Sequence, residues 1–270
     1  MIELPFKLLI TSIIGASLAG FVCSTIGVFV VQMNLSSIGY CMSHAAFAGA
    51  AFGLLIGIDP LLGAIAFSIF TAFLLGPISE KAKLNVNVII GVMFSIMIAL
   101  AFIFLNLIPG QAATGVALRI LWGSIFSVTH NDLLFLVFLS AVIIIFITVF
   151  YKEILSILFN RKLAEASGIN TRIFYFIILF LTGIGVSLSL KLVGGLLVFA
   201  LIVNPASSVY QFFYDFKKII VFAPVIGVLS CLLGFWFSLL TDFPIGSSIV
   251  IVSALVFAFS IIVSPKRRRG

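Results

Sequence analysis

Long apolar runs separated by short polar breaks pattern this 270-residue chain from end to end. Runs close to the ~20 residues needed to cross the hydrocarbon core of a bilayer recur at 6–31, 36–57, 60–79, 86–108, 131–151, 171–190, 192–212, 217–240 and 244–263. Inside a bilayer no water satisfies the peptide groups, so each run is expected as a helix. The fold class predicted is all-α, a polytopic transmembrane helical bundle of about eight or nine segments in one domain over residues 1–270. Gly194-Gly195 opens one run and Pro205 interrupts it, which predicts half-helices lining a cavity in place of one full crossing. The first run stays apolar from Leu8 to Val31, longer than the core of a signal peptide and without a cleavage site after it, so it is read as a retained span.

Composition agrees: 63% of residues are hydrophobic and 9% charged, against about 25% charged in soluble domains. Basic residues gather at Lys81 and Lys83, at Lys152, Arg161, Lys162 and Arg172, at Lys217 and Lys218, and at Lys266, Arg267, Arg268 and Arg269. Two runs separate each cluster from the next, so all four can share the cytoplasmic side. Asp59, Asp132 and Asp242 fall near the opposite ends. This arrangement accounts for the net charge of +7 without a nucleic-acid partner, and the Pro265–Gly270 tail reads as an anchor touching anionic membrane lipid. Cys23, Cys41 and Cys231 all lie in apolar runs, and three scattered thiols form no disulfide framework.

His44 stands out because an ionisable side chain inside an apolar run is a functional-site hypothesis by default. Residues three and four apart share a helix face, so Ser37, Tyr40, Cys41 and His44 can be presented together as potential metal ligands, with Ala48 and Ala51 as small neighbours. Structural readings stand beside this one. His44 as a packed histidine bonded to a carbonyl, Cys41 as the start of a small-residue stripe through Ala45, Gly49, Gly53 and Gly57, and Tyr40 as a gate or filler are each self-consistent. Asn204, beside helix-breaking Pro205, can offer an amide oxygen and freed carbonyls to a translocation path, or make an interhelical hydrogen bond. Lys191 is expected at an outer boundary and His130 in the outer loop before Asp132.

One connection breaks the rhythm of short loops. From Lys152 to Arg172 the chain offers an Asn160 helix cap, a short amphipathic helix and Gly168 as its stop, a shape suited to a partner's groove or to lying on the membrane. The chain carries no phosphate-binding Gly-x-x-x-x-Gly-Lys-Ser/Thr loop, no His-Glu-x-x-His, no Gly-x-Ser-x-Gly and no paired intramembrane carboxylates. Uphill movement of a solute would therefore draw its energy from a partner or an ion gradient, and few acidic groups are available to couple an ion.

Four stretches stand out: Ser43-His44-Ala45 with Gly49, Leu121-Trp122-Gly123-Ser124-Ile125 followed by Asp132, Leu163-Ala164-Glu165-Ala166-Ser167-Gly168, and Val193-Gly194-Gly195-Leu196-Leu197-Val198 with Asn204-Pro205-Ala206. Together they resemble the membrane permease subunit of bacterial and archaeal zinc, manganese and iron ABC importers. A fifth, Pro244-Ile245-Gly246-Ser247-Ser248-Ile249-Val250-Ile251, is similar to the family's last span. The resemblance implies a fold related to vitamin-B12 and siderophore importers and a multi-pass place in the prokaryotic cell membrane. It also implies a second permease copy in a homodimer or related pair, and an extracytoplasmic metal-binding protein. ATP-binding cassette subunits would dock on residues Asn160, Leu163, Ala164, Glu165, Ala166 and Gly168. ATP hydrolysis would reside in those subunits, so the chain is expected to be a transporter with no permanently bound cofactor, moving a divalent metal ion by alternating access.

The family lines its metal path with an Asp-x-x-x-His pair; the histidine maps to His44, and Tyr40 occupies the aspartate's place. A phenol is a poor ligand unless the metal deprotonates it, and Cys41 could supply a soft thiolate instead. A His and Cys pair doubled by a twofold axis favours zinc over manganese, which prefers oxygen. Two alternatives remain: a permease for vitamin-B12 or siderophore-type chelates, which is usually longer, and an integral-membrane enzyme, which would need a supporting carboxylate that is not found near His44.

Overall fold

The computed structural model describes residues 6–81, 84–108, 123, 128–195 and 197–266. Among them the chain forms α1 (Phe6–Gln32), α2 (Ile38–Ile56), α3 (Pro60–Lys81), α4 (Val86–Leu107), α5 (His130–Val149), α6 (Tyr151–Phe159), α7 (Arg161–Ala166), α8 (Thr171–Val193), α9 (Val198–Tyr210), α10 (Phe216–Thr241) and α11 (Ile245–Val263). Eight of these, α1 to α5 with α8, α10 and α11, are long and apolar enough to cross a membrane, and α9 is a shorter apolar helix.

Polar residues just outside the runs set the helix starts. Asn85 accepts from the backbone of Asn87, Asn170 from Ile173 and Asp215 from Lys217, each satisfying an amide that the helix leaves unpaired. Thr129 and Asp132 close a reciprocal capping box on α5. His130 is the first residue of that helix and not part of the loop before it, because the Thr129 cap starts the helix there.

The expected interruption of the seventh run is real but lies elsewhere. The break spans the connection from Gly194, at φ +97°, to Leu197, while Pro205 sits inside α9 and does not end it. Pro205 removes one amide donor, yet Leu201, Ile202, Ala206 and Val209 are buried on both sides and hold the helix through it.

α1 is the hub, packing against α5, α8, α9 and α10, while α2 packs on α3, α4 and α8. Small residues set these approaches, because helix association in lipid rests on close packing and not on escape from water. At Gly27 an added Cβ would lie 1.8 Å from the Ile202 carbonyl oxygen, and at Gly49 one would lie 2.1 Å from the Gly63 carbonyl oxygen.

Contacts sort the connections between two faces. Lys266 Nζ donates to the Phe213 carbonyl at 2.8 Å, Lys217 Nζ stands 5.9 Å from the Tyr151 ring centroid, and the Tyr210 hydroxyl reaches the Val28 carbonyl at 3.4 Å. The clusters around Lys152, Lys217 and Lys266 therefore share one face, here the basic face, as the charge pattern predicts. The side chains of Lys81, Lys83 and Arg267 to Arg269 lie outside the described residues, as do Leu121, Trp122, Ser124, Ile125 and Leu196 of the motif stretches.

At the other face Lys191, in the last turn of α8, donates to Asp132 Oδ2 at 2.6 Å, and the same oxygen accepts from the Thr129 backbone amide at 2.7 Å. Asp132→Ala loses both the pair and the cap and leaves a partly buried ammonium. It is expected to lower stability by about 2–3 kcal/mol, against about 1 kcal/mol for Lys191→Ala. Thermal unfolding of the detergent-solubilised variants checks the order, and equal losses would refute it.

Candidate functional site

The site is built where α2, α4 and α9 meet. Small residues let α2 bury deeply: Cys41, Met42, Ser43, Ala45 and Ala46 are all inside the protein. His44 is 5% exposed, and its Nδ1 lies 2.9 Å from the Tyr40 carbonyl oxygen one turn earlier. A carbonyl only accepts, so Nδ1 donates here, and in the neutral imidazole Nε2 is then the nitrogen with a lone pair for a metal.

One aromatic ring meets that imidazole directly, and two more join it in a cluster. The Phe94 ring stands 4.6 Å from it, edge to face at 77°. Tyr40 stacks on Phe199 at 3.6 Å and also meets Phe94 edge-on at 6.4 Å. Phe199 lies in the first turn of α9, directly after the Gly194–Leu197 break, and an added Cβ on Gly195 would come within 3.8 Å of the Ser43 carbonyl oxygen. The break and the histidine are thus neighbours, and backbone that is not helical lies where it can line a path.

The sequence-predicted residues divide. Tyr40 and His44 share the aromatic junction, and Tyr40 is 44% exposed. Cys41 is 0% exposed within the main core. Ser37 begins α2 without a side-chain cap bond, and the Asn204 amide donates to Ser253 Oγ on α11 at 3.0 Å, one turn before Ser208 bonds back to the Asn204 carbonyl. No group of three or more His, Cys, Asp or Glu side chains able to hold a metal occurs among the described residues. Phe94 and Phe199 escaped the sequence reading because nothing local distinguishes them among 30 phenylalanines.

On the basic face the predicted short helix is α7, and a second short helix, α6, precedes it across Asn160. Asn160 Oδ1 accepts from the amides of Lys162 at 3.0 Å and Leu163 at 3.2 Å, and Gly168 at φ +85° stops α7. Ala164 is buried against the bundle, while Phe159 and Leu163 are 86% and 58% exposed. Thr171, the first residue of α8, donates its hydroxyl to Glu165, and Arg161 donates from Nε to Glu165 at 3.0 Å. Those two donors, Thr171 first, hold the Glu165 carboxyl below its ordinary range. The tie is present at neutral pH and is lost as pH falls through the depressed value. It fastens α7 to the start of α8.

A buried histidine on α2 beside the break that ends α8, and a helical turn tied to the start of α8, set in a bundle of membrane-length helices, are the features of a polytopic permease. Residues 5–264 match the ABC 3 transport family, and the chain belongs to it. The manganese transport system membrane protein MntC of Listeria monocytogenes is 31% identical over 262 residues, spanning 97% of this chain and 91% of that one. MntC of Halalkalibacterium halodurans is 29% identical over 265 residues, with 98% and 90% covered. The high-affinity zinc uptake system membrane protein ZnuB of Haemophilus influenzae is 24% identical over 261 residues, with 97% and 98% covered. Among solved structures, PsaBC from Streptococcus pneumoniae in complex with Fab superposes with a TM-score of 0.86 at 27% identity, covering 97% of this chain and 94% of that one. A metal-chelate type ABC transporter in an inward-facing conformation shares the fold at a TM-score of 0.77 and 17% identity, covering 97% and 89%. The chain is a multi-pass ABC permease of the prokaryotic plasma membrane, and the family expected from its motifs is the family found.

Proposed function

We propose that this permease carries a divalent metal ion inward, receiving it from an extracytoplasmic metal-binding protein and passing it by alternating access as ATP turns over in separate cassette subunits. The single observation that carries this reading is His44: a buried imidazole with Nε2 left as a ligand, at the break in the bundle, in a chain whose relatives are named for manganese and zinc transport. Two copies pair so that each contributes its His44. The cassette subunits bind the exposed Phe159 and Leu163 of the α6–α7 turn, on the cytoplasmic side by the charge pattern.

Zinc is the proposed cargo, because a nitrogen donor from His44 and a sulfur donor from Cys41 suit zinc, and Tyr40 offers no carboxylate to manganese. Cys41 is in the core, so its thiolate joins only in a state where α2 has shifted. Manganese is the second reading, favoured by the names of the MntC relatives. Uptake of radiolabelled zinc and manganese into proteoliposomes holding the permease with its cassette and binding-protein partners tests both. Cys41→Ser is expected to weaken apparent zinc affinity by about tenfold or more, and unchanged zinc uptake in that variant removes Cys41 from the path.

A further inference from the structure

Away from the histidine, an open groove runs between α5 and α10 with α1 as its floor. Both helices pack on α1 but make little direct contact with each other. The inner part, about 550 Å³, is walled by Phe21, Ile144, Ile147, Val221, Pro224 and Val225. Its two hydroxyls point back into their own helices: Thr25 donates to the Phe21 carbonyl at 2.6 Å and Thr148 to the Ile144 carbonyl at 2.9 Å. Nothing in the wall calls for water, and the walls suit hydrocarbon.

The groove runs into a second cavity of about 720 Å³ that shares Ile147, Thr148, Ile220 and Val221 and reaches the basic face. There its rim changes character, to Tyr151, Lys152, Glu153 and Lys217. Lys152 and Lys217 are exposed, and Asp215 stands at the same corner, capping Lys217 through its backbone amide at 3.0 Å. The nine-residue rise of α10 from Ile220 to Leu229 spans about 14 Å at 1.5 Å per residue, close to the ~15 Å of hydrocarbon in a single leaflet. An apolar trough one leaflet deep, with the ammonium groups of Lys152 and Lys217 at its mouth beside Glu153 and Asp215, complements one class of molecule: one with a hydrocarbon tail and an anionic head small enough to sit between the two lysines.

We propose that this groove is a binding site for an anionic phospholipid of the leaflet on the basic face, one acyl chain lying between α5 and α10 and the phosphate held between Lys152 and Lys217. Bound there, the lipid joins α5, which leads into the α6–α7 turn, to α10 at the point where neither helix supports the other.

The test places the full chain in nanodiscs of phosphatidylglycerol and phosphatidylcholine in equal amounts with matched acyl chains, then counts retained lipids by native mass spectrometry. Phosphatidylglycerol is expected to be retained in preference, with the preference falling about fivefold for each of Lys152→Gln and Lys217→Gln and unchanged in Lys162→Gln, which lies outside the groove. Val225→Trp, at a half-exposed position, fills the trough and is expected to reduce retention of either lipid. Equal retention of the two lipids by the unaltered chain overturns the proposal, as does a preference that Lys152→Gln and Lys217→Gln lose no more than Lys162→Gln does. Spontaneous disulfide linkage of Val225→Cys chains in native membranes overturns it too, because a second copy would then occupy the groove.

Discussion

His44→Ala is expected to reduce ATP-driven metal uptake by about a hundredfold or more while the transporter still assembles, since even an outer-shell partner of a metal ligand is worth ten- to a hundredfold. The expectation rests on how little else could replace the imidazole. Its Nδ1 proton is committed to the Tyr40 carbonyl, so Nε2 is the one ligating atom, and no cluster of three acidic, histidine or cysteine groups exists among the described residues to take over. Assembly should survive, because alanine is the best helix former and the lost edge-to-face contact with Phe94 is worth about 1 kcal/mol. Uptake of zinc and manganese by proteoliposomes at matched permease content reads the result. Unchanged uptake of both metals would make His44 a packing residue and move the search to Asn204 and the backbone around Pro205.

The second large effect is on folding. In Gly27→Leu a side chain enters where even a Cβ would lie 1.8 Å from the Ile202 carbonyl oxygen, a backbone atom that moves only if α9 moves. Overpacking of this kind costs about 3 kcal/mol or more, and because α9 carries Phe199 against Tyr40, any surviving protein would also have its aromatic junction displaced. Size-exclusion profiles and thermal unfolding are expected to show little or no monodisperse protein. Gly91→Ala in α4 is the matching control, since an added Cβ there meets nothing within 4 Å, and it should be neutral or stabilise by up to about 1 kcal/mol through helix propensity. Equal behaviour of the two variants would show that the α1–α9 approach has slack the geometry denies.

Much of the architecture could be read directly because a bilayer leaves few options. A run of twenty apolar residues must satisfy its own peptide groups, so span positions, the all-helical class and the shared face of the lysine clusters follow from local pattern. The Asn160 cap and Gly168 stop were equally legible, being chemistry within a few residues. Pro205 misled for a related reason: its local preference is to end a helix, and only the burial of Leu201, Ile202, Ala206 and Val209 overrides it.

By itself, the sequence determined the membrane class, the spans, the family motifs and the singular position of His44 in an apolar helix. Only the tertiary structure decided that Tyr40 stacks on Phe199, that Phe94 faces the imidazole, that Lys191 pairs with Asp132 and that Cys41 turns into the core. Each of those facts except the last joins residues 50 or more positions apart, through packing of helices whose lipid-facing and protein-facing sides are equally apolar. Hydrophobic periodicity marks the side that avoids water, and in a bilayer both sides do, so the choice of neighbour passes to shape and small residues, which act only once the helices meet.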